Sequence, residues 1–210
     1  MKTSINSFPP LYIITQEHIS NFSDFLKKLE HVLSSVPNNS IMLQLREKHL
    51  SDREFYTLAL KMRTITETYK TLFIINERID IALLCKADGV QITSTSIRPN
   101  QARKLLGDGI VGISTHSQNE VIQAQQDGAN LVTLGPIFET PSKINMGKPL
   151  GTSILSVQKR VSIPVYALGG IQSDNIESLA KKHKNLAMIS MVWNASDLSL
   201  MIRSILSKIQ

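Results

Sequence analysis

Gln44, Arg46 and Lys48 occupy alternate positions in the run Leu43–Lys48. In an extended segment alternate side chains point to one side. An amide, a guanidinium and an ammonium then share a face, a set that suits a phosphate or diphosphate; a solvated edge is the alternative. Asn76 and Glu77 end the apolar run Leu72–Ile75, either as site residues or as a surface cap for the next helix. Ser114, Thr115 and His116 follow another apolar run. An imidazole titrates nearest neutrality, which makes His116, with Ser114 beside it, a candidate for acid/base work; a plain surface histidine is the alternative. Residues 135–143 read GPIFETPSK, in which Thr140, Ser142 and Lys143 offer two hydroxyls and a charge on a loop able to hold a phosphate or close as a lid. Gly169-Gly170 allows close backbone approach and leads towards a helix N-terminus, where free N–H groups attract anions. Ile189 and Ser190 are placed to add another donor.

These residues fall at the ends of short apolar runs that alternate with segments of helical period. The strand candidates are Leu11–Thr15, Ile41–Arg46, Leu72–Ile75, Gly89–Ile92, Ile110–Ile113, Leu131–Leu134, Ile163–Leu168 and Leu186–Ile189. The helix candidates are Phe22–Val36, Ser51–Thr68, Ile79–Lys86, Pro99–Leu106, Ser117–Asp127, Thr152–Lys159, Asp174–Lys181 and Ser196–Ser207. Ser51 and Glu54 form the capping-box pattern that opens a helix. Eight strand–helix units within 210 residues are the content of a single-domain α/β protein with a (β/α)₈ (TIM) barrel over residues 1–210. An open doubly wound sheet usually carries a glycine-rich turn after its first strand, and residues 15–20 contain no glycine. In a barrel the chemistry lies at the C-terminal strand ends, with phosphate commonly bound after strands seven and eight. Gly169-Gly170 and Ile189-Ser190 stand at those two places.

The chain carries 23 Lys+Arg against 17 Asp+Glu, a net charge of +6. Basic domains often meet polyanions, but here the basic residues are dispersed, with one near-cluster at Lys181, Lys182 and Lys184. A small phosphorylated ligand uses a positive field equally well, so nucleic acid is not the expected partner. The single cysteine, Cys85, cannot close an intrachain disulfide and sits on an apolar helical face. No apolar run approaches the roughly 20 residues of a membrane span, and Pro9 and Pro10 interrupt the N-terminus as a signal peptide. A soluble cytoplasmic protein is expected, with no membrane partner.

The ordered segments LQLREK (43–48), INERIDIA (75–82), ADGVQI (87–92), GISTHSQNE (112–120), GPIFETPSK (135–143), ALGGIQSDN (167–175) and AMISM (187–191) resemble the thiamine-phosphate synthase superfamily. That superfamily comprises the synthase and the TenI-like thiazole tautomerases. The resemblance spans about residues 10–205 and implies a single barrel that binds a thiazole phosphate. The synthase couples hydroxymethylpyrimidine diphosphate to thiazole phosphate and requires Mg²⁺, held by two strand-end carboxylates. Glu77 matches the first of these; Ser96 stands in place of the second. A neutral hydroxyl is a poor ligand for a hard cation. This points first to a thiazole tautomerase, which aromatises a carboxythiazole phosphate by proton transfer and needs no cofactor. His116, Ser114 and Lys143 would then carry the chemistry. The synthase is the alternative, favoured by the diphosphate-side residues Gln44, Arg46 and Lys48; Asn76 is a further substrate-binding candidate. A non-catalytic binder of thiazole or thiamine phosphate is the third reading. The grip of Thr140, Ser142, Gly169, Gly170, Ile189 and Ser190 would serve any of them. Short barrels of this type often pair, which leaves both a monomer and a homodimer open.

Overall fold

The computed structural model describes residues 8–140 and 148–209. Its eight strands are β1 (Leu11–Ile14), β2 (Ile41–Leu45), β3 (Leu72–Asn76), β4 (Gly89–Ile92), β5 (Ile110–Thr115), β6 (Leu131–Leu134), β7 (Val165–Leu168) and β8 (Leu186–Met188). Each pairs in parallel with the next, and β8 returns to β1 with Leu11 opposite Leu186, closing the ring. Parallel neighbours need a crossover. These are the helices α1 (Phe22–Ser34), α2 (Asp52–Thr68), α3 (Ile79–Leu84), α4 (Pro99–Leu106), α5 (Gln118–Gln126) and α6 (Ile176–Ala180), with a 3₁₀ helix at Thr152–Arg160 between β6 and β7. The short α7 (Ser190–Trp193) and the longer α8 (Leu198–Ile209) complete the chain. The expected (β/α)₈ barrel is what the sequence builds.

Covered on both faces, the strands read as continuous apolar runs, and alternation sorts their side chains into two cores. Leu11, Ile13, Leu43, Leu45, Phe73, Ile75, Val90 and Ile92 face the helices, in a core that also takes in Cys85, Ile202 and Ile205. Tyr12, Ile14, Met42, Ile74, Ile110, Leu131 and Tyr166 fill the inside of the ring. Each fully buried aliphatic side chain of this kind contributes about 1.5–3 kcal/mol.

Local signals set the ends of the elements. The Ser51–Glu54 capping box is present at the start of α2. Asp197 accepts the Leu200 N–H and starts α8 two residues later than the sequence pattern suggests. Other segments also differ from expectation. Residues 152–160 wind as a 3₁₀ helix instead of an α-helix. β7 begins at Val165 because Pro164 has no N–H for the ladder, while Gln158 takes the Val165 N–H. The eighth strand stops at Met188, and Ser190 opens α7, a helix too short to show periodicity.

Candidate active site

The C-terminal strand ends form a mouth with two differently built halves. On the β5–β8 side Ser114, His116, Thr140, Gly169, Gly170, Ile189 and Ser190 line one cavity, together with Thr133, Gly135 and Leu168. On the β2–β4 side stand Gln44, Arg46, Lys48, Asn76 and Glu77, and none of them lines that cavity. The predicted residues are therefore gathered at one mouth but in two groups. Ser142 and Lys143 lie outside the described residues.

The cavity side is built around a fixed imidazole. His116 Nδ1 lies 2.6 Å from the Gly135 carbonyl oxygen, which can only accept, so Nδ1 is the donor and, in the neutral ring, Nε2 is the acceptor. Glu120 takes the His116 N–H at 2.9 Å and the Ser117 hydroxyl at 3.0 Å, while Ser117 caps α5. The loop carrying His116 is thus tied to a helix start. Sequence reasoning passed over Glu120, although the Ser117-x-x-Glu120 spacing is itself a capping pattern.

The two glycines have a steric reason besides ligand access. Gly169 and Gly170 have φ of +98° and +66°, and a Cβ on Gly170 would lie 2.4 Å from the Glu139 carbonyl oxygen. The loop after β6 crosses directly over them, donating Phe138 N–H to the Gly169 oxygen at 3.1 Å. The helix they lead towards begins at Ile176, two residues later than the expected Asp174. Residues 171–175 intervene, and Asn175 folds back to donate to the Gly170 oxygen at 2.9 Å.

Beneath the cavity is a polar layer that composition alone does not reveal. Gln91, 2% exposed, donates to Ser114 and Thr133 hydroxyls at 3.2 and 3.3 Å. It accepts from the Tyr12 hydroxyl at 3.4 Å. Ser114 therefore sits within a fixed network.

The other half centres on Glu77, whose backbone is left-handed at φ +57°. Such a conformation costs a non-glycine residue about 1–3 kcal/mol, and here it turns the carboxylate towards the β4 loop. Oε1 accepts from Thr93 at 2.9 Å and Ser96 at 2.8 Å, and Oε2 accepts from Asn76 at 3.2 Å. Partial burial pushes the Glu77 carboxyl up, but the Ser96 and Thr93 hydroxyls, the Lys48 charge and the Asn76 amide outweigh it and hold the group below its ordinary value. Gln44 donates to Asn76 at 2.8 Å; its own Oε1 is buried without a hydrogen-bond partner among the described residues. Arg46 pairs with Glu17.

Comparison with known proteins decides the family. The family model described as thiamine monophosphate synthase matches residues 11–192. The chain belongs to the thiamine monophosphate synthase family. It is 38% identical over 200 residues to the thiamine-phosphate synthase of Clostridioides difficile, covering 94% of each chain. It is 42% identical over 185 residues to a putative thiamine-phosphate synthase 2 of Aquifex aeolicus, covering 87% of this chain and 97% of that one. A solved thiamine phosphate pyrophosphorylase from Pyrococcus furiosus superposes with a TM-score of 0.81 at 28% identity, over 95% of this chain and 96% of that one.

Members of the thiamine monophosphate synthase family that couple the two substrates use Mg²⁺, and the residues here can be tested against that ion. Glu77 supplies one carboxylate, an oxygen donor with one negative charge, which the Thr93 and Ser96 hydroxyls hold in place. Mg²⁺ commonly binds through one or two carboxylates together with substrate phosphates. Glu77 fits in that mode, in which most of the remaining ligands come from the substrate. No helix of the described residues is long and apolar enough to cross a membrane.

Proposed function

We propose that this chain is a thiamine-phosphate synthase, coupling hydroxymethylpyrimidine diphosphate to thiazole phosphate. The observation that carries the reading is the two-part mouth. A reaction on one phosphorylated thiazole needs the β5–β8 cavity and leaves Gln44, Arg46, Lys48 and Glu77 without a task. A reaction joining two phosphorylated heterocycles uses both halves. Relatives named thiamine-phosphate synthase along nearly the full length support the same choice.

In this reading Arg46 and Lys48 hold the diphosphate, and the buried Gln44 Oε1 accepts from a donor on the pyrimidine. Thr140, the Gly169-Gly170 backbone and the Ile189-Ser190 turn hold the thiazole phosphate; Ser142 and Lys143, from the same loop sequence, are assigned there on the family pattern alone. The bond between the pyrimidine methylene and the diphosphate breaks, the diphosphate leaves with the electron pair, and the thiazole ring takes its place. Mg²⁺ bound by Glu77 and the diphosphate would neutralise the leaving group. Glu77 stays ionised for that role because its hydroxyl donors and Lys48 favour the charged form. Ser114 and His116 orient the thiazole from the other half.

Steady-state formation of thiamine phosphate tests the assignment. Wild type turns over with both substrates and Mg²⁺, and Glu77→Ala loses most of the rate. A Glu77→Ala enzyme as fast as wild type contradicts the placement of the metal and diphosphate.

The tautomerase reading keeps one observation of its own: His116 presents a proton-accepting Nε2 from a fixed ring. General acid/base residues are worth about 10²–10⁴-fold. Aromatisation of the carboxythiazole phosphate tautomer, followed by NMR and slowed to that extent in His116→Ala, would favour it.

A further inference from the structure

We propose that Glu17, His18 and His49 form a metal site at the rim of the mouth that binds one borderline divalent cation of the Zn²⁺ class. The loop after β1 brings Glu17 and His18, and the loop after β2 brings His49. One ligand atom from each residue lies within 4.8 Å of the other two.

One pair of the cluster already has the separation of two ligands on a bound ion. Zn–N distances of about 2.0–2.1 Å and Zn–O distances of about 2.0–2.2 Å place tetrahedral co-ligands roughly 3.3–3.5 Å apart. His49 Nε2 and Glu17 Oε2 are 3.3 Å apart. The cation would sit between these two atoms. The His18 and His49 rings stack at 4.1 Å between centroids, 18° from parallel. Both residues are exposed, so His18 can swing from stacking to ligation without disturbing the core.

The backbone beneath the cluster is held in place. Glu47, only 4% exposed, accepts from the His18 and Ile19 N–H groups at 2.9 and 3.3 Å. Those bonds fix His18 at φ +71°. The Thr15 hydroxyl ties the same loop to β2, accepting the Arg46 N–H at 2.8 Å and donating to the Arg46 oxygen at 3.2 Å. Arg46 occupies only Glu17 Oε1, which leaves Oε2 to the ion. Two imidazoles and one carboxylate select borderline metals, whereas Mg²⁺ prefers oxygen donors throughout. The Glu17 cluster and the Glu77 carboxylate therefore differ in the ion they would take. The site rests on no reading of the reaction.

Calorimetric titration of the EDTA-stripped full chain with Zn²⁺, and in parallel with Mg²⁺, tests the proposal without any turnover. One equivalent of Zn²⁺ binds, more weakly at about pH 6 than at about pH 8 because ligating imidazoles must shed protons. His18→Ala and His49→Ala each weaken binding by at least the roughly 10–100-fold that a supporting partner of a metal ligand is worth; His116→Ala leaves it unchanged. Thermal melts confirm that the variants are folded, and their substituted side chains are exposed. Absence of stoichiometric Zn²⁺ binding overturns the site, as does a His18→Ala/His49→Ala double variant that binds like wild type. A Mg²⁺ affinity matching that for Zn²⁺ overturns the assigned metal class.

Discussion

Ser96 donates its hydroxyl proton to the Glu77 carboxylate across 2.8 Å. The residue standing at the second acidic place of the family pattern thus serves the first acid as a hydrogen-bond donor. Two carboxylates this close would each raise the other's pKa; a carboxylate facing hydroxyls is stabilised in its charged form instead. Ser96→Ala should therefore move the Glu77 pKa up, read by a carboxyl-carbon NMR titration. In wild type the lowered folded-state value adds stability above the ordinary carboxylate pKa, and this is lost as pH falls through the folded value. The variant should lose less on acidification. An unmoved Glu77 titration contradicts the role given to Ser96.

Gly170→Ala should destabilise the barrel. Its φ of +66° costs an alanine about 1–3 kcal/mol, and the 2.4 Å approach to the Glu139 oxygen adds an overpacking cost of about 1–3 kcal/mol. A lower urea midpoint with unchanged m-value is the expected reading. A midpoint equal to that of wild type means the two loops do not cross as described.

His183 is buried, with Nε2 2.6 Å from the Val165 carbonyl oxygen. Burial, partly offset by that bond, pushes its imidazole below the ordinary histidine value. The unfolded chain then takes up a proton more readily than the folded one. Stability from this group is full above about pH 6.5 and declines as pH falls towards the folded-state pKa. Unfolding free energies between neutral and mildly acidic pH should show that loss in wild type and less of it in His183→Gln. Parallel pH curves contradict the assignment.

Gln91→Leu should cost about 1–3 kcal/mol, since the buried Tyr12 hydroxyl and the Ser114 and Thr133 hydroxyls lose their shared partner. Denaturant unfolding checks this directly. A stability equal to that of wild type shows the polar layer to be replaceable by packing.

The barrel was legible because each strand, from the LYII run of β1 to the LAM run of β8, is mostly apolar and followed by a helical stripe or cap. Ser51 and Glu54 marked a helix start through three residues of separation. The candidate site was legible only as a set of polar strand ends, His116, Glu77 and Gly169-Gly170 among them, which the fold brings to one mouth. What the chain order hides is contact at a distance. Gln91 meets Tyr12 across 79 positions, and His49 meets Glu17 across 32. No local pattern carries that information. The division of the mouth into two halves is likewise a property of the closed ring: Lys48 faces Glu77 and not the His116 cavity only because β2, β3 and β4 are neighbours.

The central claim is that both halves of the mouth work in one reaction. Its most direct measurement is inorganic diphosphate release on mixing the protein with hydroxymethylpyrimidine diphosphate, thiazole phosphate and Mg²⁺, with thiamine phosphate followed in the same sample. The account predicts that the two products appear together, mole for mole, and only when both substrates are present. Neither product forming, while the carboxythiazole phosphate tautomer is aromatised, would contradict it.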